Sequence, residues 1–320
     1  MKKNCLALFL AAASIGAVQA ETVFVTLEKD NALAVVDPLE GKLIKTVPVG
    51  QRPRGIAISP DNKYLYIATS DDDTIKIVDA ANLAVVGELP SGDDPETFTL
   101  NPAGDRLYVS NEDDSLVTVI DTASKKAIKQ IQVGVEPEGI TVSPDNRWVI
   151  SASETTNMLH WIDTQSLAIS DNTLVDPRPR AVSFTADSQQ LWATSEMAGT
   201  LTILDANTKQ ILKSISFEIP GVSNDKIQPV GVAIDKDRNR GYVALGPANR
   251  VAVINAQTFE VERYLLVGQR VWNLAFSPDQ KRLYTTNGTS NDISIIDLES
   301  QKVTKSVGVG LYPWGVAVKP

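Results

Sequence analysis

Apolar positions along this chain come in short runs broken by polar loops. The stretch LYVSNEDDSLVTVIDT, from Leu107, is an apolar run, a polar loop, a second apolar run and an aspartate. The arrangement returns in LYIATSDDDTIKIVDA from Leu65 and in LYTTNGTSNDISIIDL from Leu283. β-Branched and aromatic residues fill the runs, and Pro, Asp, Asn and Gly separate them, which predicts short strands joined by tight turns. In the unit opening at Pro53, GIAIS is a first strand (a), YLYIAT a second (b), TIKIVD a third (c) and AVVGEL a fourth (d). No stretch has convincing helical periodicity.

The aspartate that ends each c run serves as a ruler. It falls at Asp37, Asp79, Asp121, Asp163, Asp205, Asn255 and Asp297, in steps of 42, 42, 42, 42, 50 and 42 residues. The residue that opens each next unit gives a second ruler, at Pro53, Pro95, Pro137, Pro179, Pro229, Val271 and Pro313. Both give seven units and one insertion of eight residues, within FEIPGVSNDKIQ (217–228). A period near 42 with four strands per unit predicts an all-β fold, a seven-bladed β-propeller of four-stranded blades. The chain enters its first unit at strand b (TVFVTL) and leaves after a lone strand a (WGVAVK). N-terminal strands b, c and d are therefore expected to pair with C-terminal strand a and close the ring, hiding the edges that would invite aggregation.

The quoted phrases resemble the YVTN-type β-propeller repeat, with its strand b, Asn/Ser/Gly loop and closing V-I-D. With seven units and an export signal, the chain resembles the bacterial propeller proteins associated with PQQ-dependent catabolism. That resemblance implies a periplasmic propeller linked to quinoprotein oxidation of alcohols or amines. It transfers no catalytic motif.

Export is read from the first twenty residues. Lys2 and Lys3 precede the apolar LALFLAAASIGAV, and small residues end the segment at Val18 and Ala20. This predicts a signal peptide over 1–20, cut before Glu21, leaving 21–320 as one propeller domain in the periplasm. The apolar stretch is shorter than the roughly 20 residues a bilayer requires, so no membrane insertion is expected after cleavage. Cys5 is the only cysteine of the 320 residues, so the exported domain holds together by its core alone. Taking Lys2 and Lys3 from the 30 basic residues leaves 28 against 39 acidic ones, a net charge of −11. Such acidity argues against nucleic acid as a partner and permits a basic protein partner. A monomer is expected.

Catalytic constellations are absent. There is no G-x-S-x-G elbow, no C-x-x-C-H haem attachment and no glycine-rich phosphate loop. His160 is the only histidine, at a strand c position that other units fill variously, so it is expected to pack and no metal site is assigned. The recurring aspartates are expected to tie the turn after strand c, because a residue repeated round a ring is structural.

Function is therefore sought where the units differ. The residue after each opening position reads Arg54, Glu96, Glu138, Arg180, Val230, Trp272 and Trp314 round the ring. The residue before it reads Arg52, Asp94, Glu136, Arg178, Gln228, Arg270 and Tyr312. Arg52, Arg54, Arg270, Trp272, Tyr312 and Trp314 form one contiguous aromatic and cationic sector, to which Arg180 adds a further guanidinium. Arginine holds carboxylates bidentately and Trp offers a stacking face, which would suit a small planar anion such as PQQ. The competing reading is that the Trp rings fill gaps between blades. The b–c loops add Glu112, Glu154 and Glu196 in three successive units, with Asp72 and Asp113 nearby. An acidic crescent of this kind would dock a basic partner, a quinoprotein dehydrogenase or a basic cytochrome c. It would equally serve solubility. The insertion at 217–228 is a candidate lid or docking loop.

Two functions stay open. The first is a non-catalytic binding or scaffold propeller, accessory to periplasmic quinoprotein oxidation. The alternative is a propeller enzyme or enzyme subunit, a lactonase-like hydrolase or a quinoprotein dehydrogenase component.

Overall fold

The structure is a computed structural model and describes residues 21–320, so the expected signal peptide lies outside the described residues. Seven four-stranded antiparallel sheets each run a, b, c, d outward from the centre. Blade 1 is built from Pro313–Lys319, Thr22–Leu27, Ala32–Asp37 and Lys42–Pro48, so the ring closes by the expected pairing, with Thr22 opposite Lys319. Blade 2 follows in order, Pro53–Ile58, Tyr64–Thr69, Thr74–Asp79 and Val85–Pro90, and later blades repeat it. Each innermost strand touches the innermost strands of both neighbouring blades, all the way round. Two short 3-10 turns, Ser70–Asp72 and Asn224–Lys226, are the helical segments among the described residues.

The b and c strands are apolar on both faces because each blade is sandwiched between two others. The core is accordingly seven layers, one between each pair of blades. Trp148, Trp161 and Trp192 fill layers around blades 4 and 5. Strands d are exposed edges, and the c–d register slips by a bulge in every blade. A bulged edge twists away from straight pairing with another chain.

Turn chemistry explains the ruler. Asp37 accepts the N–H groups of Leu39 and Glu40, and Asp205 those of Asn207 and Thr208. Asn255 does the same for Gln257 and Thr258. Backbone hydrogen bonds hold the Asp79, Asp163 and Asp205 carboxyls below their usual range. His160 is also structural. It is buried, its Nε2 accepts the Gly134 N–H at 2.9 Å, and Nδ1 meets Asn172 Oδ1 at 2.6 Å. Burial pushes its pKa down, so the ring is neutral, with Nδ1 as donor.

Candidate functional site

Strand a begins two residues earlier than the apolar pattern predicts, at Pro53 rather than Gly55. Its first residues pair with strand b through a bulge, which recurs in blades 3, 4, 5 and 7. The bulge re-aims the residue after the opening position, so Arg54, Glu96, Glu138, Arg180, Trp272 and Trp314 lie together at the channel mouth. Below them the channel is narrow. A Cβ on Gly139 would stand 2.2 Å from the Arg180 carbonyl, and one on Gly315 2.4 Å from that of Arg54. Glycine there lets neighbouring blades approach closely.

A second row of side chains stands above the first. In each of blades 1 to 5 and 7 the first residue of the b–c loop donates its N–H to the carbonyl of the residue before the opening position: Glu28 to Tyr312, Glu112 to Asp94, Glu154 to Glu136, Glu196 to Arg178. This bond sets each loop glutamate beside the channel mouth. The expected outward crescent of Glu112, Glu154 and Glu196 is therefore not on the surface. Glu154 and Glu196 are buried at 2% and 8% exposure, and Glu112 is half-buried. The acidic and cationic groups that sequence spacing puts in separate sectors share one funnel.

Within it, guanidiniums and carboxylates interlock. Arg52 donates to Asp94 and to Glu96, both at 2.9 Å, and Arg54 pairs with the same Glu96. Arg180 lies 2.6 Å from Glu138 and 2.5 Å from Glu154. Arg178 meets Glu154 at 2.8 Å and Glu196 at 3.1 Å. Arg270 donates to Gln228 Oε1 at 3.0 Å and stands 3.4 Å from Glu196. Trp272 carries Arg270 over its ring at 4.3 Å and Arg180 at 5.8 Å, and Arg54 lies over Trp314 at 5.7 Å. Trp314 is buried and Trp272 half-buried, and both line the channel cavity. Tyr312 is exposed, facing Lys29 rather than the funnel.

Electrostatics follow from this crowding. Burial, then Glu154 beside it, pushes Glu138 well above the carboxylate range against the pull of Arg180. Burial and the adjacent Glu96, Glu138 and Asp94 push Glu112 up to about 8. Arg54 and Arg180 are raised: their carboxylate partners outweigh burial, the largest single effect and an opposing one. The funnel encloses a cavity of about 370 Å³ bordered by Arg52, Glu112, Arg178, Glu196, Arg270 and Trp272, among others. It shares Glu138, Arg180 and Trp272 with the channel cavity beneath.

The remaining candidates lie outside the funnel. Asp72 is half-buried and accepts the Gln51 N–H, while Asp113 is exposed. Asp113 belongs to a small acidic patch with Asp73, Asp93 and Asp114, whose mutual repulsion raises Asp93. The 217–228 insertion is anchored, with Phe217, Ile219 and Ile227 buried in the layer between blades 5 and 6. Sequence spacing does not single out Gln228, which this insertion delivers to Arg270.

Residues 113–276 match the Choice-of-anchor I domain, and residues 22–132 match the seven-bladed β-propeller lactonases. No curated protein matches the chain. Among solved structures, Kuenenia stuttgartiensis hydrazine synthase is similar at a TM-score of 0.79, with 19% identity over 86% of this chain and 92% of that one. A Bacteroides fragilis protein assigned provisionally to the 6-phosphogluconolactonases gives 0.80, with 15% identity over 95% and 99%. The dihydro-heme d1 dehydrogenase NirN, in complex with DHE, gives 0.69, with 16% identity over 97% of this chain and 77% of that one. At such identities the likeness is one of fold.

Proposed function

We propose that this chain, which belongs to the Choice-of-anchor I domain family, is an exported binding propeller whose funnel takes a small charged organic molecule. The observation that supports this reading is the cavity at the channel mouth, bordered by charged groups of both signs above the Trp272 ring. Concave sites with a few convergent polar groups on a rigid scaffold are where small ligands bind. PQQ fits this funnel poorly. Seven carboxyl groups (Glu28, Asp94, Glu96, Glu112, Glu138, Glu154, Glu196) meet five guanidiniums (Arg52, Arg54, Arg178, Arg180, Arg270), and each guanidinium hydrogen-bonds a carboxylate, Arg270 the most loosely, at 3.4 Å from Glu196. A tricarboxylate needs several free cations, and of these guanidiniums only Arg270 is loosely held. Any link to quinoprotein oxidation then runs through protein docking. The exposed aspartates of blades 2 and 3 would attract a basic periplasmic partner such as a cytochrome c.

Calorimetry and thermal-shift titration against small carboxylates, amines, amino acids and lactones test the binding. At least one class should raise Tm, and Trp272→Ala should remove that response. Silence across all classes sinks the proposal. For docking, capture of a basic cytochrome c should weaken steeply between low and high salt, and salt-insensitive capture would count against it.

A second reading has its own support. The match of 22–132 to lactonases covers the loop that carries Glu112, which is largely protonated at neutral pH. Such a group can give its proton to the ring oxygen that leaves when water adds to a lactone carbonyl and the acyl C–O bond breaks. Acid release from a lactone panel, lost in Glu112→Gln, would favour hydrolysis over binding alone.

A further inference from the structure

Two groups in the funnel are more loosely matched by opposite charge than the rest, and they reach it from blades 7 and 3. The first is Arg270. Every other guanidinium there has a carboxylate oxygen within 2.9 Å, whereas the nearest to Arg270 is Glu196 at 3.4 Å. Its closer partner is the neutral Gln228 amide at 3.0 Å. Burial, with Arg180 and Arg178 nearby, lowers the pKa of Arg270, while those of Arg52, Arg54 and Arg180 are raised.

The insertion produces this exception. At the equivalent position the other six blades place Arg52, Asp94, Glu136, Arg178, Arg270 or Tyr312, all left-handed. Gln228 is not left-handed, and its backbone N–H goes to the Leu245 carbonyl instead. Its Nε2 donates to the Asp225 carbonyl within the insertion at 3.0 Å, which turns Oε1 toward Arg270. Gly246, at φ 50°, leaves room for this path, since a Cβ there would meet the Gln228 carbonyl at 2.8 Å. The second group is Glu112. It makes no ion pair among the described residues and faces Glu96, Asp94 and Glu138. Arg52 and Arg54 are already engaged by Asp94 and Glu96, so of these three neighbouring carboxyls Glu112 is the one without a cation. Arg270 and Glu112 border the same cavity, as does Trp272, over whose ring Arg270 lies at 4.3 Å.

We infer that the ligand is a small zwitterion, an ω-amino carboxylate. Its carboxylate is taken by Arg270, which Gln228 positions, its ammonium goes to Glu112, and its carbon chain lies along Trp272. This rests on the funnel being a ligand site. Binding requires Glu112 to release its proton, so affinity rises with pH toward about 9, where a primary amine is still charged.

The test is calorimetry with the ω-aminoalkanoates from glycine to 6-aminohexanoate, against the carboxylate and the amine of matching length. One chain length should bind at least about tenfold more tightly than either control, the worth of one charge-assisted contact. Gln228→Glu, which neutralises Arg270, should lower the zwitterion to the affinity of the amine and leave the amine unchanged. Glu112→Gln should lower it to that of the carboxylate and abolish the rise with pH. Both substitutions keep shape, and unchanged circular dichroism spectra confirm the fold. Controls that match the zwitterion, or variants without effect, overturn the inference. Silent zwitterions beside a lactone or simple acid that binds overturn it too and leave the funnel a ligand site. Silence from every compound removes both readings.

Discussion

Arg180 shows how much one side chain holds in place. It is the partner of Glu138 and Glu154, both buried, and lies over Trp272. Arg180→Met keeps the bulk but strands Glu138 and leaves Glu154 to Arg178 alone, so it should cost about 3 kcal/mol in urea unfolding at neutral pH. The loss should shrink in acid as the stranded carboxyl protonates. Glu112 predicts the opposite sign. A carboxyl raised to about 8 from its usual 4.5 stabilises the fold below its unfolded pKa. That contribution falls away as pH rises through the folded value. Glu112→Gln should therefore leave Tm nearly unchanged around pH 5 and raise it by a few degrees above pH 8. A Tm difference that does not depend on pH would contradict this. At this scale the sequence is half informative. The residues flanking each opening position read as channel-mouth residues, and Arg52, Arg54, Arg180, Arg270, Trp272 and Trp314 are, while Tyr312 faces outward. The loop glutamates read as surface, because the bond from Glu112 N to the Asp94 carbonyl joins residues eighteen apart without any periodic trace.

At the level of elements, the 42-residue ruler makes blades, strand order and ring closure legible, since each unit repeats its turn chemistry. What the ruler does not reveal is the bulge at the start of strand a. Apolar alternation lapses there, so the strand reads as starting at Gly55, and the inward aim of Arg54 and its counterparts is invisible. The insertion reads as a lid, yet its apolar Phe217, Ile219 and Ile227 are what pin it between blades. Closure by strand a of blade 1 can be tested directly. Deleting 313–320 removes Trp314 and uncovers the edge of Thr22–Leu27, whose residues are mostly buried. The shortened chain should elute as aggregates and lose its sharp thermal transition. A monomer with normal Tm would show that the ring does not need this strand.

The whole molecule is a wall of seven near-equal blades around a funnel that is unequal. Identity between units builds the wall, and the differences between them, including the loop inside each repeated phrase where Glu112 stands, shape the funnel. The seam in blade 1 has a further effect, on time. Most strand pairs here join residues close in sequence and can form as local hairpins, but Thr22 must find Lys319 and Gly315 must find Thr26. On a chain made from its N-terminus, strand b of the first blade emerges early and its partner only after six other blades exist. Contacts of such separation slow folding much more than they weaken the product. A ring still open at this seam would present one apolar blade face at each end, so the time taken to close it sets how long those faces would need shielding during synthesis.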